Sequence, residues 1–156
     1  MFNWENIIFH PIQLVKTELI KLRTEKLKDI EPFKFRNIPF LLEVKSWSEA
    51  IDNANGNMYV ALRLGATEEN EKIFEIEVVY KGSCINNDAT ISKDDFQKFL
   101  EIQSVRFLWP YLREVVSDVM SKMGLIPQPL PTIDILNTLK KNMNSGEIDK
   151  DERSNK

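Results

Sequence analysis

The stretch from Arg106 to Pro131, RFLWPYLREVVSDVMSKMGLIPQPLP, decides how the rest of the chain is read. Leu112, Val115, Val116, Val119, Met120 and Met123 recur in it at the spacing of one helical face. Pro110 interrupts the pattern between Trp109 and Tyr111, either as the first residue of a second helical segment or as a kink in one long helix. Gly124 is a natural stop, reinforced by the prolines that begin at Pro127. Upstream, Ser92 with Asp95 three residues on has the form of a helix N-cap, and Phe96, Phe99, Leu100, Val105 and Leu108 start the apolar stripe. The stripe suits two covers: the chain's own sheet, or the same helix of another copy. Beyond the prolines, TIDILNTLKK predicts a short second helix with Ile133, Leu136 and Leu139 on one side.

Everything before Ser92 reads differently. In MYVALRLGA, Met58, Val60, Leu62 and Leu64 alternate with Tyr59, Ala61 and Arg63. KIFEIEVVYKG sets Phe74, Ile76, Val78 and Tyr80 against Ile73, Glu75, Glu77 and Lys81. The short polar TEENE between them predicts an antiparallel hairpin with one face packed and Glu75 and Glu77 turned to solvent. The turn before it falls to NANGN, Asn53 to Asn57. A further strand is expected over Leu41 to Trp47. Ahead of it, Phe33, Phe35 and Phe40 crowd a connection bounded by Pro32 and Pro39, where they either cap the core or line an apolar groove. The first segment, LVKTELIKLRTEKLKDI, stays open: Val15, Leu19, Leu22 and Leu27 have nearly helical spacing, while Ile20 and Leu22 alternate with Lys21 and Arg23. Strands followed by helices make an α+β plan with a mainly antiparallel sheet.

The chain's 156 residues suffice for one domain with its own core. A net charge of −3 gives no support to a nucleic-acid surface. The single cysteine, Cys84, excludes an intramolecular disulfide and suits a reducing compartment. The start, MFNWENIIFHPIQ, lacks the basic and long apolar regions of a signal peptide, and no apolar run approaches the ~20 residues of a membrane span. A cytoplasmic protein without membrane insertion is therefore expected. No phosphate loop, dinucleotide fingerprint or nucleophile elbow is present, and lone His10 far from Cys84 offers neither metal-ligand spacing nor a nucleophile–base pair. Glu75 and Glu77 share a strand face, an arrangement that serves a solvated or docking surface more readily than acid–base catalysis. The expectation is a protein that is not an enzyme and uses no metal or cofactor.

The run from Leu108 to Glu114, LWPYLRE, followed by Pro127, Gln128, Leu130, Pro131 and a short helix, resembles the end of SecB, the bacterial protein-export chaperone family. The paired strands from Met58 to Ile85 are similar to that family's third and fourth strands. The likeness spans roughly Leu14 to Leu139, while the first strand matches poorly and MFNWENIIFHP is a longer start than the family has.

The resemblance implies a four-stranded antiparallel sheet followed by a long helix and a short C-terminal helix, with Leu14 to about Lys28 as the opening strand. It implies one domain over residues 1–143, with 1–13 as an extension and 144–156 as a disordered polar tail. It further implies an ATP-independent holdase for unfolded polypeptide, assembled as a homotetramer, a dimer of dimers. The client groove would be lined by Phe33, Phe35, Phe40, Leu42, Ile133, Leu136 and Leu139. The subunit interface would draw on Leu108, Leu112, Val115, Val116, Val119 and Met120, and Glu75 with Glu77 would dock the translocase motor SecA. Export precursors are the expected clients; an antitoxin of a toxin–antitoxin pair is the alternative, and a non-chaperone interaction domain with the same fold a further one.

Overall fold

A computed structural model of the protein describes residues 7–35, 37–134 and 137. Its elements are β1 (Ile12–Lys26), a single helical turn α1 (Pro32–Phe35), β2 (Phe40–Ala50), β3 (Asn55–Glu68), β4 (Glu71–Asn86) and the long helix α2 (Lys93–Lys122). The strands form one antiparallel sheet in the order β1-β4-β3-β2, which leaves β1 and β2 at the edges. The expected short helix near Leu136 and Leu139, and the tail, lie outside the described residues.

The opening segment is a strand, and its misleading spacing has a cause. Against β4 the pairing slips between Leu14 and Lys16 and again between Leu19 and Lys21. Each slip adds a residue and changes which side the following residues face. Ile12, Leu14, Thr17, Leu19, Leu22 and Thr24 consequently share the helix side at intervals of two and three, which imitates a helical period.

In β3, Met58, Val60, Leu62 and Leu64 are buried on the side that carries α2, joined from β4 by Phe74, Ile76 and Val78. Ile73, expected beside Glu75 on the solvent side, is instead fully buried. The register shifts between Ala66 and Thr67, so Ile73 has no partner in β3 and turns inward, and its carbonyl accepts from the Leu27 and Lys28 amides at 2.8 and 3.2 Å. The β3–β4 turn has positive φ at Glu69 (51°) and Asn70 (67°), the geometry of a two-residue hairpin.

The β2–β3 turn lies earlier than NANGN suggested. Asp52 closes it by accepting from the amides of Ala54 and Asn55, both at 2.7 Å. Gly56 is already in β3, opposite Ala50, where α2 comes down on the sheet: a Cβ there would stand 2.6 Å from Leu100 Cδ1.

Ser92 caps α2, its Oγ accepting from the Asp95 amide at 3.1 Å and donating to the Asp95 carboxylate at 2.7 Å. Such a cap contributes about 1 kcal/mol. The helix runs unbroken for 30 residues with Pro110 inside it, at an exposed position, so the two-segment reading is set aside. Gly124 at φ 71° ends it, with Gly124 N–H bonded to the Ser121 carbonyl and Leu125 N–H to that of Met120. The helix starts beside the β2–β3 end, where Gln97 meets Ser48 and Ala50, and finishes beside Leu22 and Thr24 of β1. Beyond it, Leu125 and Leu130 are buried, and Trp109 Nε1 donates to the Pro131 carbonyl at 3.1 Å.

Candidate functional site

Three surfaces gather the residues of interest: the free edge of β2, the cleft between α2 and β1, and the sheet face away from the helix.

The edge of β2 offers unused backbone. Gln97 reaches from α2 to take the Ala50 N–H (2.6 Å) and to donate to the Ser48 carbonyl (3.2 Å), so backbone groups of even-numbered β2 residues point away from β3. Leu42, Val44 and Ser46 point the same way, because peptide orientation alternates along a strand without slips, and among the described residues no other element bonds to them. Gln97 thus occupies one end of the edge, and the rest is open to a further strand.

Side chains around that edge are only partly as the sequence implied. Phe35, Phe40 and Phe74 form one cluster, with ring centroids 5.4, 5.9 and 6.0 Å apart. Phe35 is 1% exposed, so it caps the core and has no surface left for a groove wall. Phe40, Leu42 and Ile133 are half-buried and pack against the core from its margin. The Phe33 side chain, Leu136 and Leu139 fall outside what the structure describes. On the opposite face of the same strand, Gly65 leaves a hollow with Phe40 and Phe74 among its lining, rimmed by Leu41, Arg63, Lys72 and Glu75.

On α2, Leu108, Leu112, Val116 and Met120 are 0% exposed and Val119 is 6% exposed within a single chain. Their cover is the chain's own sheet, which corrects the expectation that they meet another copy. Val115 alone of that set is half-buried. It belongs to the adjacent stripe of Phe99, Phe107, Tyr111 and Val115, which looks toward β1. Because α2 barely touches β1, Val115, Val119 and Met123 line an open hollow with Leu19 and Leu22. Leu19 and Leu22 are exposed there, and Val15 and Ile20 stand exposed at the two slips of β1. Two stripes one residue apart look alike in sequence, and only the sheet's position tells the covered one from the free one.

Glu75 and Glu77 do face solvent together, but neither is an open negative charge. Lys21 Nζ lies 2.8 Å from Glu77; Arg63 Nε and Lys72 Nζ lie 3.1 and 3.2 Å from Glu75. The hydrogen bond from Lys72 holds the Glu75 carboxyl below its ordinary range, and that from Lys21 does the same for Glu77. Across this face the charges pair in this way, with Lys16 and Lys81 on Glu18 and Arg23 near Glu25. Among the described residues of the same face, Glu43, Lys45 and Glu49 have no ion pair, and all three are on β2. Between Lys45 and Glu49, Trp47 stacks on Tyr59 at 5.2 Å and 4°.

The described residues hold no cluster of three or more potential metal ligands. His10 Nδ1 accepts from the Ile12 amide at 3.0 Å and its ring stacks on Phe99 at 4.7 Å, which fastens the start of β1 to α2. Burial pushes the Cys84 thiol up to about 11, so the reactive thiolate is disfavoured. None of the described helices is long and apolar enough to cross a membrane.

An antiparallel sheet under one long helix, with an open strand edge and a partly covered apolar cleft, is the frame of a polypeptide-binding module. Comparison with known proteins agrees. The family described as preprotein translocase subunit SecB matches residues 32–145. Protein-export protein SecB of Caulobacter vibrioides is 34% identical over 118 residues, 67% of this chain and 71% of that protein. Its counterpart in Bartonella bacilliformis is 25% identical over 142 residues, 84% and 87% of the two chains. Among solved structures, a SecB-like chaperone of Mycobacterium tuberculosis, in complex with a peptide from an antitoxin, superposes with a TM-score of 0.69. That likeness covers 79% of this chain and 91% of the other at 13% identity, and it concerns the fold. The chain belongs to the SecB family, whose members are chaperones.

Proposed function

We propose that this chain is an ATP-independent holdase that binds non-native polypeptide along the free edge of β2 and hands it on for export. The observation that carries this reading is the open backbone of Leu42, Val44 and Ser46 beside the half-buried Phe40 and Leu42 side chains. A strand edge gives main-chain hydrogen bonds to any extended segment, and the apolar margin favours segments still carrying exposed hydrophobic residues. A folded protein offers neither, so the site selects for being unfolded rather than for a sequence.

The working assembly on this reading is a cytosolic homotetramer, built through the cleft between α2 and β1. Leu19, Leu22, Val115 and Met123 would lose water there, in place of the helix residues already under the sheet. SecA, docking through Glu75 and Glu77, would have to displace their pairs with Lys21, Arg63 and Lys72. That same pairing favours a second reading, in which the partner is an antitoxin, as for the mycobacterial structure with its bound antitoxin peptide. A basic translocase segment finds little free negative charge at Glu75 and Glu77 themselves.

The test is light scattering from a slowly folding protein diluted out of denaturant, with increasing amounts of this chain and no nucleotide. Suppression near one tetramer per client is expected. A well-folded sample that leaves aggregation unchanged would overturn the holdase reading.

A further inference from the structure

The open part of the β2 edge stops at Gln97, and the stop is held by several bonds at once. Gln97 Oε1 accepts the Ala50 N–H at 2.6 Å, while Nε2 donates to the Ser48 carbonyl at 3.2 Å and to the Ser48 hydroxyl at 3.1 Å. A residue of a parallel strand lying opposite Glu49 would bond to the same two backbone groups, so this side chain stands in for one residue of a neighbouring strand. The amide is itself fixed, because Nε2 also reaches the Glu101 carboxylate, one helical turn on, at 2.8 Å. A turn earlier, Lys93 Nζ donates to the Ile51 carbonyl at 3.0 Å. Side chains change character at the same place. On the helix side β2 presents Phe40, Leu42 and Val44, all packed against the core margin, and then Ser46 and Ser48.

We propose that Gln97 sets the boundary of the client site: a client strand bonds to the outward groups of Leu42, Val44 and Ser46 and leaves the edge before Ser48. This boundary rests on the β2 edge being where clients bind, and adds which part of a client it takes. A client that stayed extended past Ser46 would have to displace Gln97 from Ser48 and Ala50. It would exchange bonds already made for bonds of the same kind, and two serines offer it no apolar cover in return. Nothing drives the strand further. The segment selected is therefore short, with alternate apolar side chains on the helix side beside Phe40, Leu42 and Val44 and polar ones where it meets Gln97. A long client is then held through separate short stretches, each weak and each able to let go, rather than through one continuous added strand. The same stop keeps the edge from offering its full length to another chain.

The test is amide hydrogen exchange resolved to single residues, on the full chain with and without a reduced and alkylated protein that cannot refold. In the unaltered chain the client is expected to slow Leu42, Val44 and Ser46 and to leave Ser48 unchanged, with Ala50 already slow in the free chain. In Gln97→Ala, Ala50 should exchange roughly tenfold faster in the free chain, the loss of one hydrogen bond. Adding the client to that variant should then slow Ser48 and Ala50 as well. A client that slows Ser48 in the unaltered chain would overturn the boundary, a result that needs no variant. So would a variant whose Ala50 speeds up while the client still protects only Leu42, Val44 and Ser46, since Gln97 would then merely fasten α2 to the sheet. Exchange unmoved by client throughout β2, in both proteins, would remove the β2 edge as the client site and the boundary with it, an outcome distinct from either of these.

Discussion

Gly56 shows how one residue type can serve two purposes that sequence does not separate. Surrounded by asparagines, it reads as part of a turn, yet it lies in β3 with Leu100 Cδ1 2.6 Å and the Phe96 ring 3.1 Å from where its Cβ would be. Nothing near it in sequence announces a helix crossing overhead. Replacing Gly56 with Val is expected to cost about 1–3 kcal/mol through overpacking, read as a lower denaturation midpoint in urea. The charged residues of the outer face are likewise legible as exposed and illegible as pairs, because strand register decides which acid meets which base. Glu75 and Glu77 have carboxyls held below the ordinary 4.5 in the folded chain, chiefly by hydrogen bonds from Lys72 and Lys21. A lowered folded value means that the stabilisation is complete above 4.5 and is lost as pH falls through the folded values. Urea midpoints should therefore hold steady from pH 7 down toward 5 and fall below about 4.5. Lys21→Met should shallow that fall, and an unchanged slope would mean that the Lys21–Glu77 pair does not persist in solution.

At the scale of elements, β3, β4 and α2 were readable because each keeps a single period along its length. Ser92 and Gly124 mark the ends of α2 in sequence as they do in the structure. β1 was not readable from periodicity, since its two slips mix intervals of two and three; the family resemblance, not the pattern, pointed to a strand. The apolar stripe on α2 is legible in sequence, but not which of its two rows the chain's own sheet covers. Leu108, Leu112, Val116 and Met120 lie fully under the sheet, and the free row through Val115 is offset from it by one residue. The two rows make opposite predictions. Val116→Glu buries a charge in the monomer core and is expected to unfold the chain, seen as loss of the cooperative thermal transition. Val115→Glu leaves the monomer folded and lowers the native mass. If both variants stay folded and keep their mass, the cleft between α2 and β1 is not an interface.

For the whole molecule, the sequence carried the architecture and the class of activity, and could not carry the surfaces. Composition and missing motifs pointed away from catalysis, and the run from Leu108 to Glu114 pointed to the family that now accounts for residues 32–145. That the even-numbered backbone groups of β2 turn outward at a sheet edge, by contrast, follows from strand order and from Gln97 occupying Ser48 and Ala50, facts that only the assembled sheet contains. Phe35 illustrates the gap: an aromatic in a proline-bounded connection was a fair groove candidate, and the fold spends it on the core. On the proposed reading, client binding therefore rests on backbone more than on a row of rings. Val44 offers the sharpest probe, because its outward N–H can be removed by proline without breaking a bond to β3. The decisive measurement is aggregation suppression by Val44→Pro beside the unaltered chain, on samples matched for circular dichroism and thermal midpoint. Loss of protection with the fold intact is the predicted result; full protection by the proline variant would contradict client binding at the β2 edge.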